Sequence, residues 1–222
     1  ADITYTYDRL GRQLTVADAT GTRSFDYDSS SLQLDTETLD ATFYQSQILE
    51  RSYQDGTETN GLSGRSSGYT LLSNGGATSV SSATYGYEST GRLSSITDGS
   101  DTFTYGYETD SNLLASLAAP QHTVDYTYEP NRNVMTIVDN KFTGATTSVS
   151  AYSYTYDVLG RRADRAQSGS AVNTASTDGF AYNSRSEVTS SSNSVETTVE
   201  WNPSFTYDKI GNRLASTGGP SL

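Results

Sequence analysis

The chain has 222 residues, of which only 33% are hydrophobic, yet 17 are Tyr against six Phe and one Trp, and Ser and Thr number 34 and 32. Fourteen basic against 26 acidic residues give a net charge of −12; such a surface repels phosphate backbones and anionic lipid, which sets nucleic acid and membrane insertion aside as partners. There is no Cys, so disulfide frameworks, zinc ribbons and thiol nucleophiles are excluded, and no apolar run approaches the roughly 18 residues of a membrane span.

In chain order, the first predicted element is a hairpin. In Tyr5-Thr6-Tyr7 both rings fall on one face of a strand, by its two-residue alternation. Asp8-Arg9-Leu10-Gly11 suits a type I turn, with Asp accepting backbone N–H bonds and Gly free to take positive φ. Arg12-Gln13-Leu14-Thr15-Val16 alternates again as the return strand. A weaker copy follows at Phe25 and Tyr27. Residues 41–82 hold no clean copy; Phe43, Tyr44, Tyr53 and Tyr69 mark degenerate strands in a glycine-rich, loop-rich stretch.

The frame then returns as Tyr85-Gly86-Tyr87-Glu88-Ser89-Thr90-Gly91-Arg92-Leu93. Weaker copies are led by Tyr105/Tyr107 and Tyr126/Tyr128, a clear one by Tyr154/Tyr156 with Gly160, a weak one by Phe180/Tyr182, and a last by Phe205/Tyr207 with Gly211. The second aromatic falls at 7, 27, 87, 107, 128, 156, 182 and 207, so the gap from 27 to 87 reads as three periods of 20. Stretches 168–178 and 190–195 are rich in Ser, Asn and Thr and are expected to be surface loops. One unit is strand, tight turn, strand; a unit this small cannot bury a core alone, so stability has to come from stacked neighbours.

The chemistry-bearing strings are weak. Gly64-Arg65-Ser66-Ser67-Gly68 matches G-x-S-x-G in form, but that motif works only on a strand-to-helix elbow with a histidine base. The single histidine, His122, lies at a Pro-Gln-His-Thr junction. The acids at 8, 28, 88, 108, 129, 157 and 208 recur with the turn, whereas a carboxylate pair for glycoside hydrolysis is a singular feature. Asp98-Gly99-Ser100-Asp101 and Asp55-Gly56 match neither an EF-hand nor a Gly-Asp calcium repeat. No catalytic residue, cofactor or metal is therefore assigned, and the chain is read as a non-enzyme.

Tyr-x-Tyr-Asp-x-x-Gly-Arg-Leu, as in Tyr5–Leu14 and Tyr85–Leu93, resembles the YD repeat of RHS-type proteins over roughly residues 3–40 and 83–217. That family contains large bacterial surface or secreted proteins, insecticidal toxin-complex subunits and animal teneurins. The resemblance implies a β-sheet coiled into a hollow shell that, in toxin members, encloses a C-terminal toxic domain. This chain is much shorter than a complete shell and lacks the Asp-Pro-x-x-Gly-like signature that ends the core in toxin members. It starts at Ala1 without Met, and it is expected to be a segment of a longer polypeptide.

The expected fold is all-β, a single domain over 1–222 made of one continuous, curved antiparallel sheet of YD-repeat hairpins. Its structural frame is Tyr5, Tyr7, Asp8, Gly11, Tyr27, Tyr87, Gly91, Tyr107, Tyr128, Tyr156, Gly160, Tyr182, Tyr207 and Gly211. The expected function is an extracellular or cell-surface structural scaffold, a shell wall for enclosure, display or assembly. Its partners are flanking repeats or further copies of itself, with an encapsulated polypeptide or a glycan as cargo or ligand. Two alternatives stay open. One is a carbohydrate- or protein-binding module whose stacking candidates are Tyr44, Tyr53, Tyr69, Tyr152 and Trp201, outside the frame; the other is a self-assembling tube or filament.

Overall fold

The computed structural model describes residues 2–195 and 198–218. It contains nineteen strands among those residues and divides into two compact units, Ala1–Thr104 and Tyr105–Leu222. The first unit carries β1 Thr4–Tyr7, β2 Gln13–Asp18, β3 Gly21–Tyr27, β4 Leu34–Thr38, helix α1 Ala41–Tyr44, β5 Ile48–Tyr53, β6 Ser66–Ser73, β7 Thr78–Tyr87, β8 Leu93–Asp98 and the start of β9 Asp101–Tyr107. The second carries β10 Leu114–Ala118, β11 His122–Tyr128, β12 Met135–Phe142, β13 Ser148–Tyr156 and β14 Arg162–Ser168. Beyond these lie β15 Ser176–Tyr182, β16 Val188–Val195, β17 Thr198–Trp201, β18 Ser204–Tyr207 and β19 Arg213–Thr217.

The sheet is an antiparallel meander in which β1 to β17 each pair with the next strand along the chain, as do β18 and β19. In the second unit β16 pairs with β17 and also, through Ser190 and Ser204, with β18. Strands pack on the strands they are hydrogen-bonded to and on little else. The architecture is therefore quasi-one-dimensional, each copy held by its two neighbours.

Cross-strand partners share a face, so the registers sort the side chains into two very different surfaces. In the first unit Tyr5 faces Val16, Val16 faces Arg23 and Phe25 faces Glu37. Further along the same face, Arg51 lies opposite Tyr69, Tyr69 opposite Ala83, Tyr85 opposite Ile96, and Ile96 opposite Phe103. In the second unit Tyr126, Val138 and Tyr152 form such a row. The opposite face is hydroxylic: Thr6 faces Thr15 with their Oγ1 atoms 2.6 Å apart, and Ser204 faces Thr217 at 2.7 Å.

Burial is shallow. Among the described residues only Ala83 and Pro203 bury an apolar side chain, and no large side chain is fully buried. Rows of half-covered rings, with an amphipathic phenol at each step, take the place of a two-layer core.

Three expectations for the variable stretches are corrected. Phe43 and Tyr44 lie in α1, not in a strand; Asp40 caps that turn by accepting the Thr42 N–H at 2.7 Å. Residues 190–195 are not a loop but most of β16, where Ser191 is only 8% exposed between paired strands. The expected loop at 168–178 shrinks, because β15 starts at Ser176. Serine-rich sequence reads as loop on composition, yet serine is the natural filler of the hydroxylic face and of crowded rows beside large rings.

Candidate functional site

The repeated feature is a turn and the two side chains that leave it in opposite directions. In the first copy the Asp8 N–H donates to the Arg12 carbonyl at 2.9 Å and the Gly11 N–H to the Asp8 carbonyl at 3.1 Å. Asp8 Oδ1 accepts the backbone N–H groups of Leu10 and Arg12, each at 2.8 Å, while Oδ2 accepts Arg12 Nε at 2.6 Å. Asp157 repeats every one of these bonds with Leu159, Gly160 and Arg161. Asp208 repeats them with Ile210, Gly211 and Asn212.

The fourth turn position is left-handed at Gly11, Gly91, Gly160 and Gly211, with φ between 78° and 94°, a region that costs an L-residue roughly 1–2 kcal/mol. Ser186 takes the same place at φ 65° in the copy that starts at Asn183. The remaining turns are one residue longer, closing from Asp28 to Gln33, Glu108 to Leu113 and Glu129 to Val134. The turn acids Asp8, Asp28, Glu129, Asp157 and Asp208 are held as carboxylates. At Asp8, partial desolvation pushes the carboxyl up, but the hydrogen bonds of Arg12 and Leu10 and the Arg12 charge outweigh it and leave the group below its ordinary range. At Asp208 the Asn212 side-chain and backbone hydrogen bonds do the same.

The strands that enter these turns carry a β-bulge in the partner just before the second tyrosine, as between Thr6/Tyr7, Asp26/Tyr27, Thr127/Tyr128, Thr155/Tyr156 and Thr206/Tyr207. The bulge takes one carbonyl out of the ladder, and a tyrosine from the next copy reaches it. Tyr27 Oη donates to the Gln13 carbonyl, which stands opposite Tyr7. Tyr53 donates to Leu34, opposite Tyr27, and Tyr87 to Ser66, opposite Tyr53. In the second unit Tyr156 donates to Met135, Tyr182 to Arg162 and Tyr207 to Val188, each acceptor again opposite the tyrosine one copy back. These six bonds run from 2.6 to 2.9 Å, and each contributes about 1 kcal/mol net.

Side chains in or just after the turn reach the other way. Arg12 donates to the Leu32 carbonyl, Gln33 to Gly64 and Arg65 to Gly91. Further on, Arg132 donates to Asp157, Arg161 to Asn183, and Arg185 to Asp208 and Lys209. Three of these guanidinium groups also lie over the ring of the next copy's tyrosine: Arg12 on Tyr27 at 4.4 Å, Arg65 on Tyr87 at 3.9 Å and Arg161 on Tyr182 at 4.6 Å. Tyrosine thus staples backward and arginine forward.

This pattern exposes a copy that the spacing concealed. Tyr53 carries the same register shift after Ser52, the same backward staple, and Gln54 in the Asp place. Gln54, 7% exposed, accepts Leu62 N–H and Arg65 Nε through Oε1, and its N–H closes on the Arg65 carbonyl at 2.8 Å. Gly64, at φ 84°, donates to the Gln54 carbonyl. Gly64-Arg65 is therefore the Gly-Arg of the frame, displaced by an insertion, and the gap from 27 to 87 holds one long copy in place of two regular ones. The signal in the sequence was Tyr53-Gln54 followed by Gly64-Arg65; the hydrophobic period could not show it, because Arg51 replaces the first ring.

The other predicted positions distribute as follows. Tyr107 lies at the end of β9 and Tyr128 at the end of β11, where burial, with Tyr126 and Glu108 nearby, raises the phenol above its usual range. Tyr69 and Tyr152 stand on the aromatic face, opposite Arg51 and Val138. Trp201 ends β17 opposite Asn193, and Tyr44 is on α1, 39% exposed. Of the five stacking candidates, Tyr44, Tyr53 and Tyr69 thus belong to the first unit and Tyr152 and Trp201 to the second. Ser66 and Ser67 of the G-x-S-x-G string open the eight-residue strand β6 and do not sit on a strand-to-helix elbow, and His122 opens β11 opposite Phe142.

No protein-family profile matches the chain, and no curated protein matches it by sequence. Among solved structures it is similar to the crystal structure of TcdB2-TccC3-TEV, with 16% identity and a TM-score of 0.68 over 98% of this chain and 11% of that one. It also aligns with the Photorhabdus luminescens Tc holotoxin pore at 15% identity and a TM-score of 0.40, over 97% of this chain and 15% of that one. The chain spans a small part of either, and the first likeness establishes that its fold is one found within a Tc toxin chain.

Proposed function

We propose that this chain is a non-catalytic scaffold, a wall segment of an RHS/YD-type shell outside the cell, whose work is enclosure, display or assembly. The observation that carries the reading is the use made of the distinctive groups. Six repeated Tyr hydroxyls and the turn arginines bond one copy to the next, while the turn carboxylates close their own turns, so these groups serve the sheet. The likeness to a Tc toxin chain supports it at the level of fold. Flanking repeats continue the sheet, and an enclosed polypeptide is the cargo. Single-particle imaging of the polypeptide that carries this segment tests the proposal: a hollow particle walled by the sheet is expected, and a solid particle with the sheet buried against another domain overturns it.

One observation favours a second reading, glycan recognition. In the second unit Tyr154, Arg165, Asp178, Asn193 and Trp201 form a single row across five strands, with Arg165 Nε and Asn193 Nδ2 both donating to Asp178 at 2.8 and 2.7 Å. Rings flanking planar polar groups suit sugar faces and hydroxyls. A polysaccharide titration repeated on Trp201→Ala and Tyr154→Ala decides it; absence of saturable binding removes this reading and leaves the scaffold untouched.

A further inference from the structure

One strand position changes character within the second unit. The residue opposite the second tyrosine of a copy is aliphatic at Leu34, Leu93, Met135 and Val188. Opposite Tyr156 it is Arg162, whose guanidinium lies over the Tyr154 ring, 4.5 Å from its centroid. The strand-borne cations Arg23, Arg51, Lys141 and Arg165 each meet an acid; among the described residues Arg162 meets none.

Arg162 borders a hollow of about 380 Å³ on the aromatic face, and the other walls are Tyr156, Phe180, Tyr182 and Val188. Phe180 stands opposite Ser191, a side chain too small to cover the ring. The phenol groups at the hollow are already engaged, Tyr156 donating to the Met135 carbonyl and Tyr182 to the Arg162 carbonyl. The acids of the surrounding strands and turns are engaged as well. Asp157 holds Arg161, Asp178 holds Arg165 and Glu187 holds Arg185, while Asp164 accepts from Thr155 on the hydroxylic face. The hollow therefore combines ring and aliphatic walls with an uncommitted cation. Sites for small ligands have this make-up, about 300–1,000 Å³ of largely apolar lining with a few polar anchors.

We propose that this hollow binds a carboxylate carried on an aromatic or aliphatic body. The rings and Val188 take the apolar part, and the Arg162 fork donates to the carboxylate, its matching planar acceptor. The Tyr154 ring holds the guanidinium in place beforehand, which limits the side-chain entropy lost on binding. The net charge of −12 repels anions in general, so apolar contact has to supply part of the affinity, and the ligand is an apolar acid and not a bare anion.

The inference goes beyond the scaffold reading and fails separately from it, since a wall with an empty hollow is still a wall. NMR titration of the 222-residue chain with phenylacetate, phenylacetamide and acetate tests it. Phenylacetate is expected to bind about fivefold more tightly than either of the others. Arg162→Leu, which copies Leu34 and Leu93, is expected to abolish the preference for acid over amide, and Arg162→Gln to do the same while keeping more of the stem. Arg213→Leu removes a cation from the same place in another copy and is expected to leave the preference intact. A further pair, acetyl-Phe-Glu-Phe-amide and acetyl-Phe-Gln-Phe-amide, distinguishes the sources: a preference for the Glu peptide assigns the hollow to a polypeptide, and a preference shown by phenylacetate alone assigns it to a small acid. The proposal is overturned if acid and amide bind equally, if acetate matches phenylacetate, or if the preference survives in both Arg162 variants with unaltered melting curves.

Discussion

The hairpin closed at Asp157 and the hairpin closed at Gln54 are made by the same bonds around loops of very different length. In the first, the closing N–H and its carbonyl at Arg161 stand four positions apart; in the second, Gln54 and Arg65 stand eleven positions apart. Both end in a left-handed Gly followed by an Arg that returns to cap the turn and then reaches forward. The difference teaches that the repeat is defined by its closing pair and its staple, not by the residues between. Lengthening a loop adds little closure entropy, so an insertion is tolerated wherever the two ends still meet.

The comparison is most sharply broken at glycine. A Cβ on Gly68, beside the long hairpin, would sit 2.1 Å from the Ala83 carbonyl oxygen, against backbone that cannot move aside. Gly160 has φ 78° and nothing nearer than 3.9 Å. Gly68→Ala is expected to cost about 3 kcal/mol and Gly160→Ala about 1 kcal/mol in urea denaturation; equal losses would show that backbone approach does not distinguish the two regions. Next in size, Gln54→Leu removes the buried acceptor of the Leu62 N–H and the Arg65 guanidinium, and a loss of about 2 kcal/mol is expected by the same measurement.

Smaller and equal effects are expected at the staples. Tyr53→Phe and Tyr156→Phe each remove one phenol-to-carbonyl bond, for about 1 kcal/mol apiece. A negligible effect at Tyr53 alone would return it to the unframed tyrosines.

The smallest effect is a slope with pH. At Asp157 desolvation works upward, and the Arg161 hydrogen bonds, the Leu159 N–H and the Arg161 charge outweigh it, so the folded-state carboxyl titrates below its unfolded value. Such a group contributes fully above the unfolded value, near 4, and the contribution is lost as pH falls through the lower folded one. The Tm should therefore fall on the acid side of about 4, and Asp157→Asn should flatten that limb, since Asn183 already performs this role in its own copy. The Gln54 turn holds no titrating group at the cap, and its amides should keep their hydrogen-exchange protection over the same range.

The strand, the turn and the shared face of the rings were legible from Tyr5-Thr6-Tyr7-Asp8 and its echoes, because two-residue alternation and the Asp…Gly turn are local physics. The staple was not. That Tyr27 bonds Gln13 depends on a bulge that frees one carbonyl, and a bulge is a property of two strands paired, with no mark in either alone. Gln54 escaped for a related reason: an amide replaces the carboxylate and the Arg stands eleven residues away, so only the closed loop shows that they belong together. β16 escaped because Ser190-Ser191-Ser192 has the composition of a linker and the location of a strand.

The opposed reach of Tyr and Arg gives the sheet a sense of time as well as of direction. During synthesis each new hairpin brings a phenol whose acceptor carbonyl has already been made, as Tyr182 does for Arg162 and Tyr207 for Val188. A nascent chain can therefore fasten each hairpin as it emerges, with no need to wait for those still to come. Loss of the final hairpin leaves the five earlier staples in place, whereas loss of the first leaves Tyr27 without the Gln13 carbonyl. The sheet is suited to being laid from its N-terminal end, one hairpin at a time.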